Sequence, residues 1–341
     1  MSKDCPNNTH SSLSIGDLGL RNRAFLAPMS GVSDVPFRQL AWEFGAGMVV
    51  SEMVASEALT TGQTEMQLKA EAAGLPVHIV QLAGRQPQWM AEATRLAEQA
   101  GASVIDINMG CPAKRVTSGY SGSALMRDID HAMTLIDAVL EATHLPVTLK
   151  MRLGWDENSL NAPELAQRAQ RAGVSMVTVH ARTRNQFYKG EADWTKVAPV
   201  REELSIPLIV NGDIADLTSA LAAQQACGAD GVMIGRASYG APWLPGQIGA
   251  ALAGDEVPAT PVADALVELV SRHYEKILSF YGVELGMRNA RKHLDWYCGH
   301  LAQTTDLAAL RRSMLTSRDP KAVLSLIPSV YGRESASKVA A

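Results

Sequence analysis

The chain has 341 residues, of which 47% are apolar and 19% are charged. This composition supports a sizeable core and excludes global disorder, and the length suits one large α/β unit with a smaller appended region. The formal net charge is −4 at pH 7. Any nucleic-acid partner would therefore have to be held by a local basic patch.

The four cysteines are Cys5, Cys111, Cys227 and Cys298, and they form no C-x-x-C pair or Cys/His cluster. We therefore expect reduced thiols, a cytoplasmic location and no bound metal. The polar N-terminus lacks the apolar core of a signal peptide. No apolar run reaches the roughly 18 residues that a membrane span needs, so no membrane association is expected.

Short apolar runs alternate with amphipathic stretches from residue 24 onward, which predicts repeated strand–helix units. Eight such units over roughly 230 residues favour a (β/α)₈ TIM barrel, an α/β fold. An open doubly wound sheet is the alternative, but no glycine fingerprint follows the first strand. The predicted strands are Ala24–Ala27, Met48–Ser51, Val77–Leu82, Val104–Asn108, Val147–Lys150, Met176–His180, Leu208–Asn211 and Gly231–Ile234.

The pattern changes after Gly254 to helical stretches without strands. A segment with two prolines, EVPATPVAD, predicts a linker there. We expect the barrel to occupy residues 1–254 and a C-terminal all-helical domain to occupy residues 255–335. The predicted helices of that domain are Ala265–Tyr281, Gly286–His300, Thr305–Thr316 and Pro320–Tyr331.

Polar residues follow nearly every predicted strand, at the end of a barrel where catalysis takes place. Buried polar groups that converge on one face favour a ligand. Taken alone, Gln81 and His180 are compatible with purely structural roles. Lys150 favours a function, since a barrel interior gives a lysine little room to reach solvent. Glu52 and Asp213 could pair with Lys150 or with backbone amides, and the sequence leaves this open.

The last two strands are followed by NGDI and GRAS, which place glycines near predicted helix starts. Free N–H groups at helix N-termini bind phosphate, and this is the usual phosphate site of such barrels. Arg236 would add charge-assisted hydrogen bonds. With Lys150 across the mouth, the pattern predicts an elongated phosphorylated ligand, and flavin mononucleotide (FMN) fits it.

Cys111 follows a β-branched strand in the stretch VIDINMGCPAKR, and Pro112 delays the next helix. Cysteines are more often packing residues than reactive groups. It is therefore the position at the carboxyl end of a barrel strand that makes Cys111 a catalytic candidate.

From about Ser14 to Tyr331, the chain resembles bacterial tRNA-dihydrouridine synthases in nine motifs that occur in the same order. DINMGCPAK and RNARKHLDWY are most similar to the B-type branch. The resemblance implies an FMN-dependent barrel with a helical tRNA-binding region, in which NADPH reduces the flavin and the reduced flavin reduces a D-loop uridine. The motifs are APMSGVSDVPFR, SEM, VQLAG, DINMGCPAKRV, GSALM, VTLKMRLGW, VHARTR, IVNGDI and GVMIGRASYGAPW.

The resemblance also implies roles for single residues. Cys111 would be the proton donor, and Asn108 would orient the uracil ring. A free thiol has a pKa near 8.5, so it is mostly protonated at neutral pH and can act as a general acid. The implied FMN contacts are Ala27, Pro28, Met29, Gln81, Lys150, His180, Asn211, Gly212, Asp213, Gly235 and Arg236.

Basic residues beside the predicted site and on one C-terminal helix are candidates for tRNA contact. We expect a monomer that binds tRNA and NADPH. The alternatives are a flavin barrel acting on a free pyrimidine or other small molecule, a phosphosugar barrel without flavin, and an RNA-binding regulator with an inactive site. The candidate tRNA contacts are Lys114, Arg115, Arg182, Arg288, Arg291 and Lys292.

Overall fold

The computed structural model describes residues 13–302 and 304–332. Eight parallel strands close into a barrel, which confirms the predicted (β/α)₈ fold. A short antiparallel hairpin, β1 (Ser14–Ile15) and β2 (Leu18–Gly19), precedes it. The barrel strands are β3 (Ala24–Leu26), β4 (Met48–Ala55), β5 (Ile79–Ala83), β6 (Val104–Met109), β7 (Val147–Arg152), β8 (Met176–His180), β9 (Leu208–Asn211) and β10 (Gly231–Ile234), and β10 closes against β3.

Ten α-helices belong to the barrel part of the described chain, and four follow it. The first group is α1 (Val35–Glu43), α2 (Ser56–Thr60), α3 (Thr64–Ala70), α4 (Pro87–Gln99), α5 (Lys114–Thr117), α6 (Ile129–Leu140), α7 (Ala162–Ala172), α8 (Ala198–Glu203), α9 (Leu217–Cys227) and α10 (Leu244–Ala253). The second is α11 (Ala263–Tyr281), α12 (Val283–Tyr297), α13 (Thr305–Thr316) and α14 (Pro320–Tyr331). None of these helices is long and apolar enough to cross a membrane.

Four strands continue past their predicted ends: β5 and β6 by one residue each, and β4 and β7 by more. β4 runs to Ala55 rather than Ser51, with a register shift against β5 between Val50 and Met53. β7 runs to Arg152 rather than Lys150. The predictions placed each strand end where the apolar residues stop. Backbone hydrogen bonding between strands does not depend on apolar side chains, so it continues through the polar residues that follow. Lys150 is therefore held inside the sheet rather than at the end of its strand.

The barrel interior is divided into an apolar lower part and a polar upper part. Phe25, Met48, Ile79, Val104 and Met176 pack together in the lower part. Because side chains alternate along a strand, residues two positions further on face the same interior. This places the polar side chains of the carboxyl ends above a closed apolar floor.

The C-terminal helices pack directly on the barrel. Trp243, at the start of α10, shares an apolar cluster with residues of α11 to α14. Trp296 of α12 stacks on Tyr239, with ring centroids 4.1 Å apart. Gly240 has a φ of 66°, and a Cβ there would lie 2.5 Å from the Trp296 carbonyl, so only glycine allows this close approach. The division of domains at residues 254 and 255 remains a prediction.

Candidate active site

A cavity of about 790 Å³ opens at the carboxyl ends of the barrel strands. All the residues predicted to contact FMN line it, together with Asn108, Cys111 and Arg115. The barrel therefore brings together, from seven of its strands and the loops after them, groups that are far apart in sequence. The predicted FMN contacts in the lining are Ala27, Pro28, Met29, Gln81, Lys150, His180, Asn211, Gly212, Asp213, Gly235 and Arg236.

A chain of hydrogen bonds crosses three strands beneath this cavity. Thr148 Oγ1 donates to Asp106 Oδ1 at 2.6 Å, and Gln81 Nε2 donates to Asp106 Oδ2 at 2.6 Å. Asn108 Nδ2 donates to Gln81 Oε1 at 2.7 Å. The Asn108 oxygen accepts from the backbone N–H of Cys111 at 3.0 Å. Burial raises the pKa of Asp106 to about 6, although the hydrogen bonds from Thr148 and Gln81 act in the opposite direction.

The loop that carries Cys111 is held on several sides. Arg152 Nε donates to the carbonyl oxygen of Gly110 at 2.8 Å, and Ser123 Oγ donates to that of Cys111 at 2.8 Å. Cys111 is partly exposed and lines the cavity, whereas Cys227 and Cys298 are buried. Cys111 is thus the thiol, among the described cysteines, that can meet a ligand. Cys5 lies outside the described residues.

Lys150 is buried in the barrel, and its Nζ donates to Asn211 Oδ1 at 3.2 Å. Burial, with the nearby positive charge of Arg152, lowers the pKa of Lys150 to about 8, while Asp106 and Cys111 act in the opposite direction. A lysine with this pKa remains mostly charged at pH 7. It supplies a positive charge to a cavity that contains no ion-pair partner for it among the described residues.

His180 and Asp213 belong to a cationic part of the cavity. Burial and the positive charges around it, with Arg152 contributing most, lower the pKa of His180 well below its usual value, so the imidazole is neutral. Arg182 Nη1 lies 3.4 Å from His180 Nε2. Since an arginine can only donate, Nε2 is the unprotonated nitrogen. Asp213 accepts from Arg182, from Arg236 Nη2 at 3.2 Å and from the Ala192 N–H at 2.8 Å.

The sequence left the partners of two carboxylates, Glu52 and Asp213, undecided. Both accept hydrogen bonds from backbone amides, and neither pairs with Lys150. Glu52 Oε1 accepts from the N–H of Gly31, in the loop after β3. Asp213 also organises two arginines, as described above. Both carboxylates hold the loops that form the cavity wall.

The predicted phosphate end differs from the expectation in one respect. Helix α9 begins four residues after Asp213, and Asp216 caps it by accepting from the Ser219 N–H at 2.7 Å. A carboxylate already occupies that N-terminus, so it is not free for a phosphate. The turn after β10 is different: its first hydrogen bond runs from Ser238 N to Gly235 O, no side chain caps it, and Gly235, Arg236 and Ala237 line the cavity.

The candidate tRNA contacts do not all lie on the surface. Arg182 is 1% exposed, because its guanidinium binds Asp213 and the carbonyl oxygens of Lys189 and Gly190. A side chain this buried is not available on the surface, which contradicts its prediction as a tRNA contact. Lys292 turns towards the barrel, with its Nζ 3.3 Å from where a Gly31 Cβ would lie. Those that are exposed are Lys114, Arg115, Arg288 and Arg291.

Sequence reasoning missed three residues of the site. Asp106 was overlooked, although a carboxylate inside an apolar strand is a visible signal. Tyr188 is 52% exposed at the cavity mouth, with Arg152 and Arg236 on its ring at 5.5 and 5.1 Å. Tyr239 lines the cavity beside the C-terminal helices. No local pattern marks the two tyrosines, because only the fold brings their loops to the mouth.

No group of three or more His, Cys, Asp or Glu residues in the described ranges could hold a metal ion. The site therefore consists of a thiol, a buried lysine, several amides and a cationic end. Residues 25–329 match the dihydrouridine synthase (Dus) family. The chain belongs to that family.

Relatives within the family match nearly the whole chain. A probable tRNA-dihydrouridine synthase of Rhodobacter capsulatus is 52% identical over 328 residues, covering 95% of this chain and 99% of the relative. One of Rhizobium leguminosarum is 50% identical, covering 94% and 100%. The tRNA-dihydrouridine synthase B of Xanthomonas axonopodis is 42% identical, covering 87% and 90%. The protein is therefore an enzyme of the dihydrouridine synthase family, and these relatives are bacterial.

Solved structures share the barrel. Morphinone reductase in complex with tetrahydroNAD aligns with a TM-score of 0.51 at 17% identity, covering 75% of this chain and 93% of that chain. A 2-naphthoyl-CoA reductase complex aligns with a TM-score of 0.55 at 12% identity, covering 73% and 52%. At such identities the likeness concerns the fold.

Proposed function

We propose that this protein reduces uridine to 5,6-dihydrouridine in the D-loop of tRNA, with bound FMN, NADPH as reductant and Cys111 as proton donor. The observation that carries the proposal is that the Cys111 thiol and the buried Lys150 line one cavity in a chain of the dihydrouridine synthase family. Relatives named tRNA-dihydrouridine synthase, which match the chain almost end to end, support tRNA as the substrate.

The residues present fit FMN. The cavity volume falls within the roughly 300–1,000 Å³ of small-molecule sites. A Cβ on Gly235 would find its nearest neighbours, Ala27 Cβ and Met29 Sδ, only at 3.9 Å, so the backbone there is open to a ligand. The Arg236 guanidinium and the amides before Ser238 would hold the phosphate, while Gln81 and Lys150 would contact the ring.

Bound FMN would supply the hydride, and the side chains supply position, charge and a proton. The charge of Lys150 would stabilise negative charge that develops on the ring during reduction. Addition of a hydride at C6 of uracil leaves C5 in need of a proton. With the uracil between ring and loop, the Cys111 thiol would donate that proton, and the Asn108 amide would orient the base.

A uridine in folded RNA must leave its stack to enter this cavity. The exposed Lys114 and Arg115 follow the Cys111 loop directly, where phosphates flanking an extruded base would lie. Arg288 and Arg291 on α12 would extend this contact to the body of the tRNA. In this proposal the protein acts in the cytoplasm as a monomer.

The test is to map dihydrouridine in tRNA from cells with and without the gene. We expect one or more D-loop positions to lose the modification when the gene is deleted and to regain it from a plasmid copy. Unchanged dihydrouridine at every position would refute the tRNA activity. A purified protein that shows no absorbance near 450 nm, even after incubation with FMN and removal of the unbound FMN, would refute the flavin.

A further inference from the structure

Asp106 is a buried carboxylate that the chemistry proposed above does not use. It is 4% exposed and lies on β6 two residues before Asn108, on the same side of the strand. Its two oxygens accept hydrogen bonds from neutral groups, Thr148 Oγ1 and Gln81 Nε2. Burial of a carboxylate costs free energy, so its presence inside the barrel calls for a role that a neutral apolar residue would not fulfil.

The direction of the hydrogen bonds supplies that role. An ionised carboxylate only accepts, so Gln81 must turn its NH₂ group towards Asp106 and its oxygen towards Asn108. Asn108 must then present its NH₂ group to Gln81, at 2.7 Å. Its oxygen consequently faces the backbone N–H groups of Gly110 and Cys111, at 3.1 and 3.0 Å.

The opposite orientation is incompatible with the loop. If Gln81 rotated its amide by half a turn, its NH₂ group would face Asn108, and Asn108 would have to rotate as well. The Asn108 NH₂ group would then face the N–H groups of Gly110 and Cys111, donor against donor. The acceptor at position 106 thus determines whether the turn that carries the thiol is held.

We propose that Asp106 is a positioning residue: its carboxylate fixes the amide orientations of Gln81 and Asn108 and thereby holds the turn that carries the Cys111 thiol. This inference rests on the proposed function for its consequence in catalysis. The positioning itself is a property of the protein without tRNA, and it can be measured separately.

The experiment compares Asp106→Leu, Asp106→Asn and the control Thr178→Val as flavin-loaded proteins in a Cys5→Ser background. Leucine removes the acceptor. Asparagine keeps an oxygen for Gln81 and turns its NH₂ group to the Thr148 hydroxyl, which can accept. Thr178 is also buried in the barrel, on β8 beside Lys150, and lies outside the hydrogen-bond chain.

Two readouts are taken: dihydrouridine formation on unmodified tRNA, with NADPH oxidation measured alone, and the rate of alkylation at each cysteine. For Asp106→Leu we expect about a hundredfold lower kcat for dihydrouridine formation, a much smaller loss of NADPH oxidation, since Gln81 would also contact the flavin, and faster alkylation of Cys111. Protection of the buried Cys227 and Cys298 shows that the variant is folded. Asp106→Asn should restore most of the kcat and the slow alkylation, and Thr178→Val should resemble the parent.

The inference is overturned if folded Asp106→Leu keeps the parent rates. It is also overturned if Asp106→Asn is as impaired as Asp106→Leu, because the charge rather than the acceptor would then matter. If Asp106→Leu does not fold, Asp106→Ala replaces it as the variant without an acceptor, with the same expected and contradicting alkylation rates at Cys111. A parent protein that forms no dihydrouridine would refute the proposed function, while the alkylation rates would still test the positioning.

Discussion

Lys150 Nζ lies 3.2 Å from Asn211 Oδ1 across the barrel mouth. The two residues are on β7 and β9, with His180 of β8 between their strands. The contact is with a neutral amide, so the lysine charge remains uncompensated within hydrogen-bond distance. A cavity arranged in this way favours an anionic or electron-accepting ligand and makes the protein without its cofactor less stable.

The cost of burying Lys150 predicts a pH dependence. Its pKa is about 8 in the folded protein, against 10.5 for an unperturbed lysine. Between these values the unfolded chain binds more protons, so the stability of the cofactor-free protein rises with pH. Lys150→Met should abolish this rise and raise the free energy of unfolding at pH 7, by on the order of 2–3 kcal/mol. Urea unfolding at pH 7 and pH 9.5 measures both, with the exposed Lys321→Met as control.

Cys111→Ala should separate the two halves of the proposed reaction. We expect flavin content and NADPH oxidation in the absence of tRNA to stay at the parental level. Dihydrouridine formation should fall by about 10²–10⁴-fold, the contribution of a general acid. Mass spectrometry of the tRNA nucleosides measures the product. A parental rate of modification would show that the proton comes from another group.

Arg236→Met should weaken FMN binding selectively. Loss of a charge-assisted hydrogen bond to the phosphate costs about 1.5–3 kcal/mol, or roughly tenfold to a hundredfold in affinity. Riboflavin, which lacks the phosphate, should bind both proteins equally. Quenching of flavin fluorescence on titration gives both constants. Equal losses for the two flavins would place the Arg236 contact elsewhere than the phosphate.

The double variant Lys114→Ala/Arg115→Ala should weaken tRNA binding without a change in flavin content. Removal of two phosphate contacts should also reduce the slope of log affinity against log salt by about 2. Arg95→Ala/Arg171→Ala serves as control, since both arginines are exposed on the outer helices α4 and α7. Filter binding at several salt concentrations is the measurement, and equal slopes for all three proteins would contradict the prediction.

Gly246→Ala should destabilise the barrel. A Cβ at this position of α10 would lie 1.8 Å from the carbonyl oxygen of Phe44, which ends α1. Relief of that overlap requires the two helices to separate, at about 1–3 kcal/mol or more. Gly19→Ala is the control, because nothing lies within 4 Å of its Cβ position. Equal denaturation midpoints for the two variants would show that the helices adjust without cost.

Local patterns were sufficient for the fold and for most of the cavity lining. Strand periodicity identifies the residue at which each strand leaves the core, and in a barrel all such residues converge on one end. Gln81, Lys150, His180 and Asn211 could therefore be placed together from the sequence. A charge inside a strand, as at Lys150, is visible because it interrupts an apolar run.

Contacts between elements far apart in sequence were decided by the tertiary structure. The sequence places Arg182 beside the site, but only the fold shows that Asp213 and two backbone carbonyls bury it. Lys292 shares a helix with Arg288 and Arg291, and only docking of α12 on the barrel turns it inward. Burial and hydrogen-bond direction depend on which neighbours surround a side chain. The spacing of residues along one strand or helix carries no information about those neighbours.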